Sequence, residues 1–117
     1  MEISQRPNVL TNLDVDESAT ADIARPCTLK GFIASNKNAA TLYLKFYNKA
    51  TAATVGTDTP ILTIGVGVTG TIGSEKVFFP DGIAFSAGLS LGATTAAAVA
   101  DTGAPGANDL LVNLLYE

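Results

Sequence analysis

Residues 40–47 read Ala-Thr-Leu-Tyr-Leu-Lys-Phe-Tyr, with a large apolar side chain at every second position from Leu42 onward. Leu42, Leu44 and Phe46 share one face of an extended strand, because successive strand residues point to opposite sides. A helix would repeat its apolar residues every three or four positions instead. The stretch therefore predicts a half-buried β-strand with an amphipathic outer face. That outer face carries Tyr43, Lys45 and Tyr47.

Similar patterns recur along the rest of the chain. Residues 109–116 are apolar at both odd and even positions, so we expect that strand in the middle of a sheet. Residues 80–82, Pro-Asp-Gly, predict a turn between two strands, because proline presets φ and glycine accepts a positive φ. Leu29, Gly31 and Ile33 alternate with Lys30 and Phe32 and predict one face of a strand. Strands are expected over residues 28–34, 61–66, 77–79, 83–85 and 89–94.

Short strands separated by turn signals predict an all-β chain, and the absence of alternating helical segments disfavours a parallel sheet. The expected architecture is an antiparallel β-sandwich, either jelly-roll-like or immunoglobulin-like. Residues 27–117 form the predicted sandwich body. Residues 1–26, with prolines at positions 7 and 26, predict an extended N-terminal arm or edge strand.

Composition limits the classes of function. The 117 residues are 47% apolar and 15% charged, and the mean hydropathy is +0.30, which indicates one globular domain and not a disordered chain. The net charge is −4 and the few cations are scattered, so neither nucleic acid nor an anionic membrane is an expected partner. The polar first residues predict no signal peptide. Residues 82–100 lack charge but are too rich in Gly, Ser and Thr for a membrane span.

No pattern in the sequence predicts catalysis, a cofactor or a metal. The chain has no histidine and a single cysteine, which excludes a histidine-based triad, a cysteine-based zinc site and an internal disulfide. Residues 65–70 fit Gly-x-Gly-x-x-Gly, but no helical pattern follows them, as a nucleotide-binding loop requires. One acidic cluster lacks the glycine and the regular oxygen spacing of a calcium loop and predicts a solvated acidic arm. Its members are Asp14, Asp16, Glu17 and Asp22.

Two groups of residues are candidates for contact with a partner. Tyr43, Lys45 and Tyr47 form one strand face, and tyrosine is enriched at interfaces because it joins a large ring to a polar tip. The alternative interpretation is that the second sheet or a long loop covers this face. Arg6 and Arg25 lie in the N-terminal segment, and we expect them to pair with carboxylates of a partner.

Several blocks of the sequence resemble a group of small virion proteins of tailed bacteriophages. The blocks are residues 44–49 (Leu-Lys-Phe-Tyr-Asn-Lys), residues 55–64, residues 79–90 (beginning Phe-Pro-Asp-Gly) and residues 107–114. They span most of residues 29–116, whereas the first 26 residues lie outside the resemblance. The resemblance implies a β-sandwich structural protein of the particle, and it transfers no catalytic residue.

Some of the similar proteins look like capsid cement, or decoration, proteins. The resemblance therefore implies a protein that is made in the bacterial host cytoplasm and binds the outside of the shell of major capsid protein. Partners would be the major capsid protein and further copies of the chain, as a dimer or trimer. Two alternatives remain: a tail, neck or baseplate component, and a carbohydrate-binding β-sandwich module, which the absence of tryptophan and histidine disfavours.

Overall fold

The fold was analysed in a computed structural model that describes residues 8–67 and 75–117. In that part of the chain, eight β-strands are present and no helix. The strands are β1 (Asn8–Asn12), β2 (Thr20–Ile23), β3 (Cys27–Asn36), β4 (Leu42–Asn48), β5 (Leu62–Val66), β6 (Glu75–Phe85), β7 (Leu89–Thr94) and β8 (Leu110–Tyr116).

The strands form two four-stranded antiparallel sheets that pack together. The first sheet has the order β1-β8-β3-β6 and the second the order β2-β7-β4-β5. This is the strand order of a jelly roll, in which the chain passes repeatedly from one sheet to the other. The prediction of an all-β antiparallel sandwich is confirmed. The prediction that the last strand is central is also confirmed, because β8 lies between β1 and β3.

The core lies between the inner faces of the two sheets. Phe32 of β3 and Phe46 of β4 meet across it with their ring centroids 5.2 Å apart. Phe79 of the neighbouring strand β6 also packs near Phe32, with a centroid distance of 6.4 Å. Leu42, Leu44 and Phe46 are fully buried, as their alternation predicts; the other buried apolar residues include Leu29, Leu91, Leu110, Val112 and Leu114.

The N-terminal segment contributes a strand to each sheet. β1 pairs with β8 at the edge of the first sheet, and β2 pairs with β7 at the edge of the second. The connection between them is held by backbone bonds to both sheets, from Val15 N to Leu110 O and from Ala93 N to Asp16 O. Residues 8–23 are thus part of the sandwich, and residues 1–7 of the expected arm lie outside the described residues.

The prediction of a turn at residues 80–82 is wrong. β6 runs without interruption from Glu75 to Phe85, and residues 80–82 lie within it. Its pairing with β3 shifts there, since Leu29 pairs with Ile83 whereas Gly31 pairs with Phe78. Gly82 has a φ of +77°, so the Pro-Asp-Gly sequence forms a bulge in one strand instead of reversing the chain.

The expected alternation of β3 is also wrong beyond Lys30. β3 carries an extra residue relative to β8, because Leu29 pairs with Tyr116 and Gly31 with the adjacent Leu115. This bulge changes which side each later residue faces. Phe32 is consequently buried in the core, whereas Ile33 is only half-buried on the outer side.

Residues 82–100, which the sequence analysis tested as a membrane span, form the end of β6, all of β7 and the loop after β7. Among the described residues, no helix has the length and apolar character needed to cross a membrane.

Candidate functional site

The outer face of the second sheet lies under two loops of the chain itself. Lys45 is 0% exposed and Tyr47 is 1% exposed, although both point away from the core. β7, next to β4 in this sheet, is buried along its whole length on both sides. The covering segments are residues 49–60, defined here as the first loop, and residues 95–105, defined as the second loop.

The first loop is pinned by hydrogen bonds to β7 and within itself. Ala53 N donates to the buried hydroxyl of Ser90 at 2.9 Å. Asp58 accepts from Thr54 N at 2.8 Å and pairs with the Lys49 ammonium at 2.8 Å. The hydrogen bond from Lys49 holds the pKa of Asp58 below its ordinary value. These bonds fix the loop as a cover over the sheet.

The second loop is held through Lys45. The Lys45 ammonium donates a hydrogen bond to Ala98 O at 2.7 Å, so the charged end of the side chain contacts the backbone of the second loop. Burial lowers the pKa of Lys45, and the nearby Asp101 carboxylate acts in the opposite direction. The loop is closed on itself by bonds from Gly103 N to the Asp101 carboxylate at 2.8 Å and from Thr95 N to Gly103 O at 3.2 Å.

Tyr47 carries a buried hydroxyl that has no hydrogen-bond partner among the described residues. Burial raises the pKa of Tyr47, and the Asp58 carboxylate raises it further. The uncharged phenol is therefore the form that this site favours.

Of the residues expected to contact a partner, two remain accessible in the described part of the chain. Tyr43 is half-buried, and Arg25 is exposed with its guanidinium carbon 5.8 Å from the centroid of the Tyr116 ring. Lys45 and Tyr47 are instead buried, as the loop-covered alternative predicts. Arg6 lies outside the described residues.

The structure does not bring Arg25 and Tyr43 together. Tyr43 pairs with Thr94 at the end of β7. Arg25 follows Ile23, which pairs with Leu89 at the start of β7. The two side chains consequently mark opposite ends of the sandwich and cannot form a single small contact site.

Two of the acidic residues of the N-terminal segment, Asp14 and Asp16, accept backbone hydrogen bonds in loops, and a third, Asp22 of β2, accepts side-chain hydrogen bonds. Asp14 accepts a hydrogen bond from Asn108 N at 2.8 Å, and Asp16 accepts one from Ser18 N at 2.8 Å. Asp22 accepts from Asn12 Nδ2 and from Thr20 Oγ1; burial raises the pKa of Asp22, and these bonds partly oppose the rise. Residues 8–67 and 75–117 contain no group of three or more Cys, Asp or Glu side chains placed to hold a metal ion.

The sequence analysis missed an exposed apolar surface on the outer side of the first sheet. Val9 of β1 is 62% exposed and Phe78 of β6 is 61% exposed. Both side chains point away from the core. Val9 is paired with Leu115 on one side, and Phe78 lies on the other side of Leu115, beyond Gly31. The sequence of residues 109–116 does indicate such a surface. Only one face of this strand can pack in the core, so the apolar residues of its other face lie on the outside of the sheet.

Comparison with protein-family models, with curated proteins and with solved structures finds no match to this chain. The part of the chain that the structure describes forms no pocket.

Proposed function

We propose that this chain is a structural protein of a tailed-bacteriophage particle, and more specifically a capsid cement protein. It binds the outside of the shell formed by the major capsid protein and holds neighbouring capsid subunits together. Further copies of the chain are its second partner. Its location is the capsid exterior, after synthesis in the host cytoplasm.

The observation that carries this proposal is a jelly-roll body whose loops are hydrogen-bonded to its second sheet. Jelly rolls are used by viral capsid and lectin domains, although a fold alone does not assign a function. Here the first loop is fixed through Ser90 and the second through Lys45. A cement protein needs a body that keeps its shape while its surface contacts other proteins, and these bonds supply that property.

The resemblance of residues 44–49, 55–64, 79–90 and 107–114 to small phage virion proteins supports the same proposal. In the structure, these blocks contain most of β4, part of β5, the second half of β6 with its bulge, the start of β7 and most of β8. They are thus distributed over both sheets.

Cementing acts by linkage, since a protein that binds only the assembled shell stabilises that shell by mass action. Arg25 and Tyr43 are the accessible residues we assign to shell contact. Because they lie at opposite ends of the sandwich, one copy can reach two capsid subunits at once.

The test compares particles of the encoding phage that carry the protein with particles from which its gene has been deleted. We expect the deleted particles to release DNA at a lower temperature, and re-addition of purified protein to restore the original release temperature. Equal heat resistance of the two preparations contradicts cementing. Electron microscopy of the same particles then distinguishes density on the shell from density on a tail, neck or baseplate.

A carbohydrate-binding module is the second candidate, and the half-buried ring of Tyr43 on a jelly roll favours it. An accessible aromatic ring is the usual surface against which a sugar packs. Glycan-array binding that is lost in a Tyr43→Ala variant would support this candidate over cementing. Absence of binding to every glycan would eliminate it.

A further inference from the structure

Within residues 8–67 and 75–117, no loop covers the outer face of the first sheet, whereas two loops cover that of the second. On the second sheet, side chains as polar as Lys45 are buried under the chain's own loops. On the first sheet, Val9 and Phe78 remain 62% and 61% exposed, so the described chain leaves them open. Ile33, Leu111 and Leu115 are half-buried on the same side.

These side chains are arranged in rows that run across the four strands. One row contains Val9, Leu115, Gly31 and Phe78, each paired with the next. The following row contains Thr11, Asn113, Ile33 and Lys76. Apolar residues thus occupy both edges of the first row, and a solvated sheet face would carry polar residues at these positions.

We propose that this face binds a second copy of the chain, face to face, around a two-fold axis parallel to the strands. Such an axis places β1 of one copy over β6 of the other, and β8 over β3. Val9 of each copy then lies over Phe78 of the other, and Leu115 lies over Gly31. The same patch serves both copies, as a two-fold interface requires.

The charges on the face fit this arrangement. Lys30 of β3 and Lys76 of β6 lie on one half of the sheet. Glu117 follows β8 on the other half, where it exchanges two backbone hydrogen bonds with Thr28 at 2.9 Å. The axis turns Lys30 of one copy toward the half that carries Glu117 of the other. Lys30 therefore faces Glu117 of the other copy, Lys76 lies over the uncharged Thr11, and the lysines of the two copies stay apart.

The face is large enough to hold an interface of standard size. The two longer dimensions of the molecule are 48 and 33 Å, and the third is 19 Å. Each partner in a standard protein interface contributes roughly 800 Å², which fits within one broad face of these dimensions. Two sheets packed face to face would then bury the exposed apolar side chains as a domain core does.

The inference deepens the self-association included in the proposed function. Its test measures the mass of the purified chain in solution, so it can fail while the shell-binding test succeeds. Analytical ultracentrifugation from micromolar to millimolar concentration should show a species of twice the chain mass of 12.0 kDa. In a Val9→Ser/Phe78→Ser variant, we expect the dissociation constant to rise at least about tenfold, the effect of roughly 1.4 kcal/mol.

Val99→Ser is the matched control. Val99 is 42% exposed and lies in the second loop, on the opposite side of the molecule, so this variant should dimerise like the wild type. Circular dichroism checks that all three proteins keep the same β-sheet spectrum. A monomeric wild type, a trimer, or a Val9→Ser/Phe78→Ser variant that dimerises as strongly as the wild type would overturn the proposal.

A charge exchange tests the axis separately. Lys30→Glu places two carboxylates opposite each other and should weaken the dimer. Adding Glu117→Lys to the same chain restores the opposite pair and should recover most of the lost affinity. If the double variant is weaker than Lys30→Glu alone, the two-fold arrangement is wrong.

Discussion

At the scale of single residues, Lys45 shows how an outward-facing side chain becomes buried without entering the core. Strand alternation places it opposite Leu44 and Phe46, so it points away from the first sheet. The second loop then closes over it, and its ammonium donates to Ala98 O at 2.7 Å. Taking a charged amine out of water costs free energy, which one backbone acceptor only partly offsets.

The first prediction concerns the pH dependence of this cost. The ordinary pKa of Lys45 is 10.5, and burial lowers it in the folded chain. Between the lowered pKa and 10.5 the unfolded chain binds more protons, so the free energy of unfolding rises with pH in that window. We expect the wild type to gain stability relative to a Lys45→Met variant as the pH increases toward 10.5.

Urea unfolding of both proteins at successive pH values measures the difference. Methionine is a suitable replacement because it keeps most of the length of lysine and removes the charge. Ala98 is exposed, so its carbonyl can turn to water in the variant. Parallel pH profiles for the two proteins would contradict a lowered pKa of Lys45.

Residue-scale reasoning from the sequence was sufficient to give the side that each β4 residue faces. It could not give the burial of Lys45 and Tyr47, because the covering loops lie far away along the chain. Ser90, which holds the first loop through Ala53, is 37 residues from it in sequence. The alternation of side chains shows which side of a strand each residue faces, but it does not show which segment of the chain covers that side.

At the scale of elements, the bulges of β3 and β6 decide how the first sheet is built. Gly31 lies where the β6 backbone comes close. A Cβ at this position would stand 2.6 Å from Val77 O and 3.2 Å from Phe78 Cα. Both contacts are with backbone atoms, which cannot move without displacing β6.

The second prediction follows from this close approach. A Gly31→Ala variant should lose about 1–3 kcal/mol of unfolding free energy, the usual cost of overpacking. Gly67→Ala is the matched control, because a Cβ there meets no described atom within 4 Å, and its effect should stay within about 0.5 kcal/mol. Denaturant unfolding followed by circular dichroism compares them, and equal stabilities would contradict the role of the close approach.

The pairing of β3 with β6 is also where the sequence led to a wrong prediction, a turn at residues 80–82. Pro-Asp-Gly at residues 80–82 is typical of a chain reversal, and the same residues also suit a bulge. The neighbouring strand decides between the two. Here β3 continues to pair with residues 83–85, and this pairing keeps residues 75–85 in a single strand.

At the scale of the whole molecule, stability depends on a core shared by both sheets. Phe32 belongs to the first sheet and Phe46 to the second, and their rings meet with centroids 5.2 Å apart. Both are fully buried. Removal of either ring leaves a cavity that the two layers cannot close by moving together, because neighbouring pairs hold them apart.

The third prediction is therefore a large, cooperative loss of stability in a Phe32→Ala variant. We expect a decrease of about 3–5 kcal/mol in the free energy of unfolding, or a fall in Tm of roughly 4 °C per kcal/mol for a domain of this size. Ile61→Ala, at a 49% exposed position, serves as the control and should unfold close to the wild-type temperature. If the Phe32→Ala variant unfolds at the same temperature as this control, the Phe32 ring does not contribute to the stability of the core as predicted.

The sequence by itself determined that this protein is an antiparallel β-sandwich, which face of β4 packs inward and that β8 is a central strand, because a period of two is a local property of each strand. Only the tertiary structure decided the jelly-roll strand order, the cover over Lys45 and Tyr47, and the open apolar face around Val9 and Phe78. Those features depend on which strands become neighbours. That choice is set by pairing and packing between residues distant in sequence. A short stretch such as residues 109–116 shows that a strand has a second apolar face, but not which strands lie beside it or what covers it.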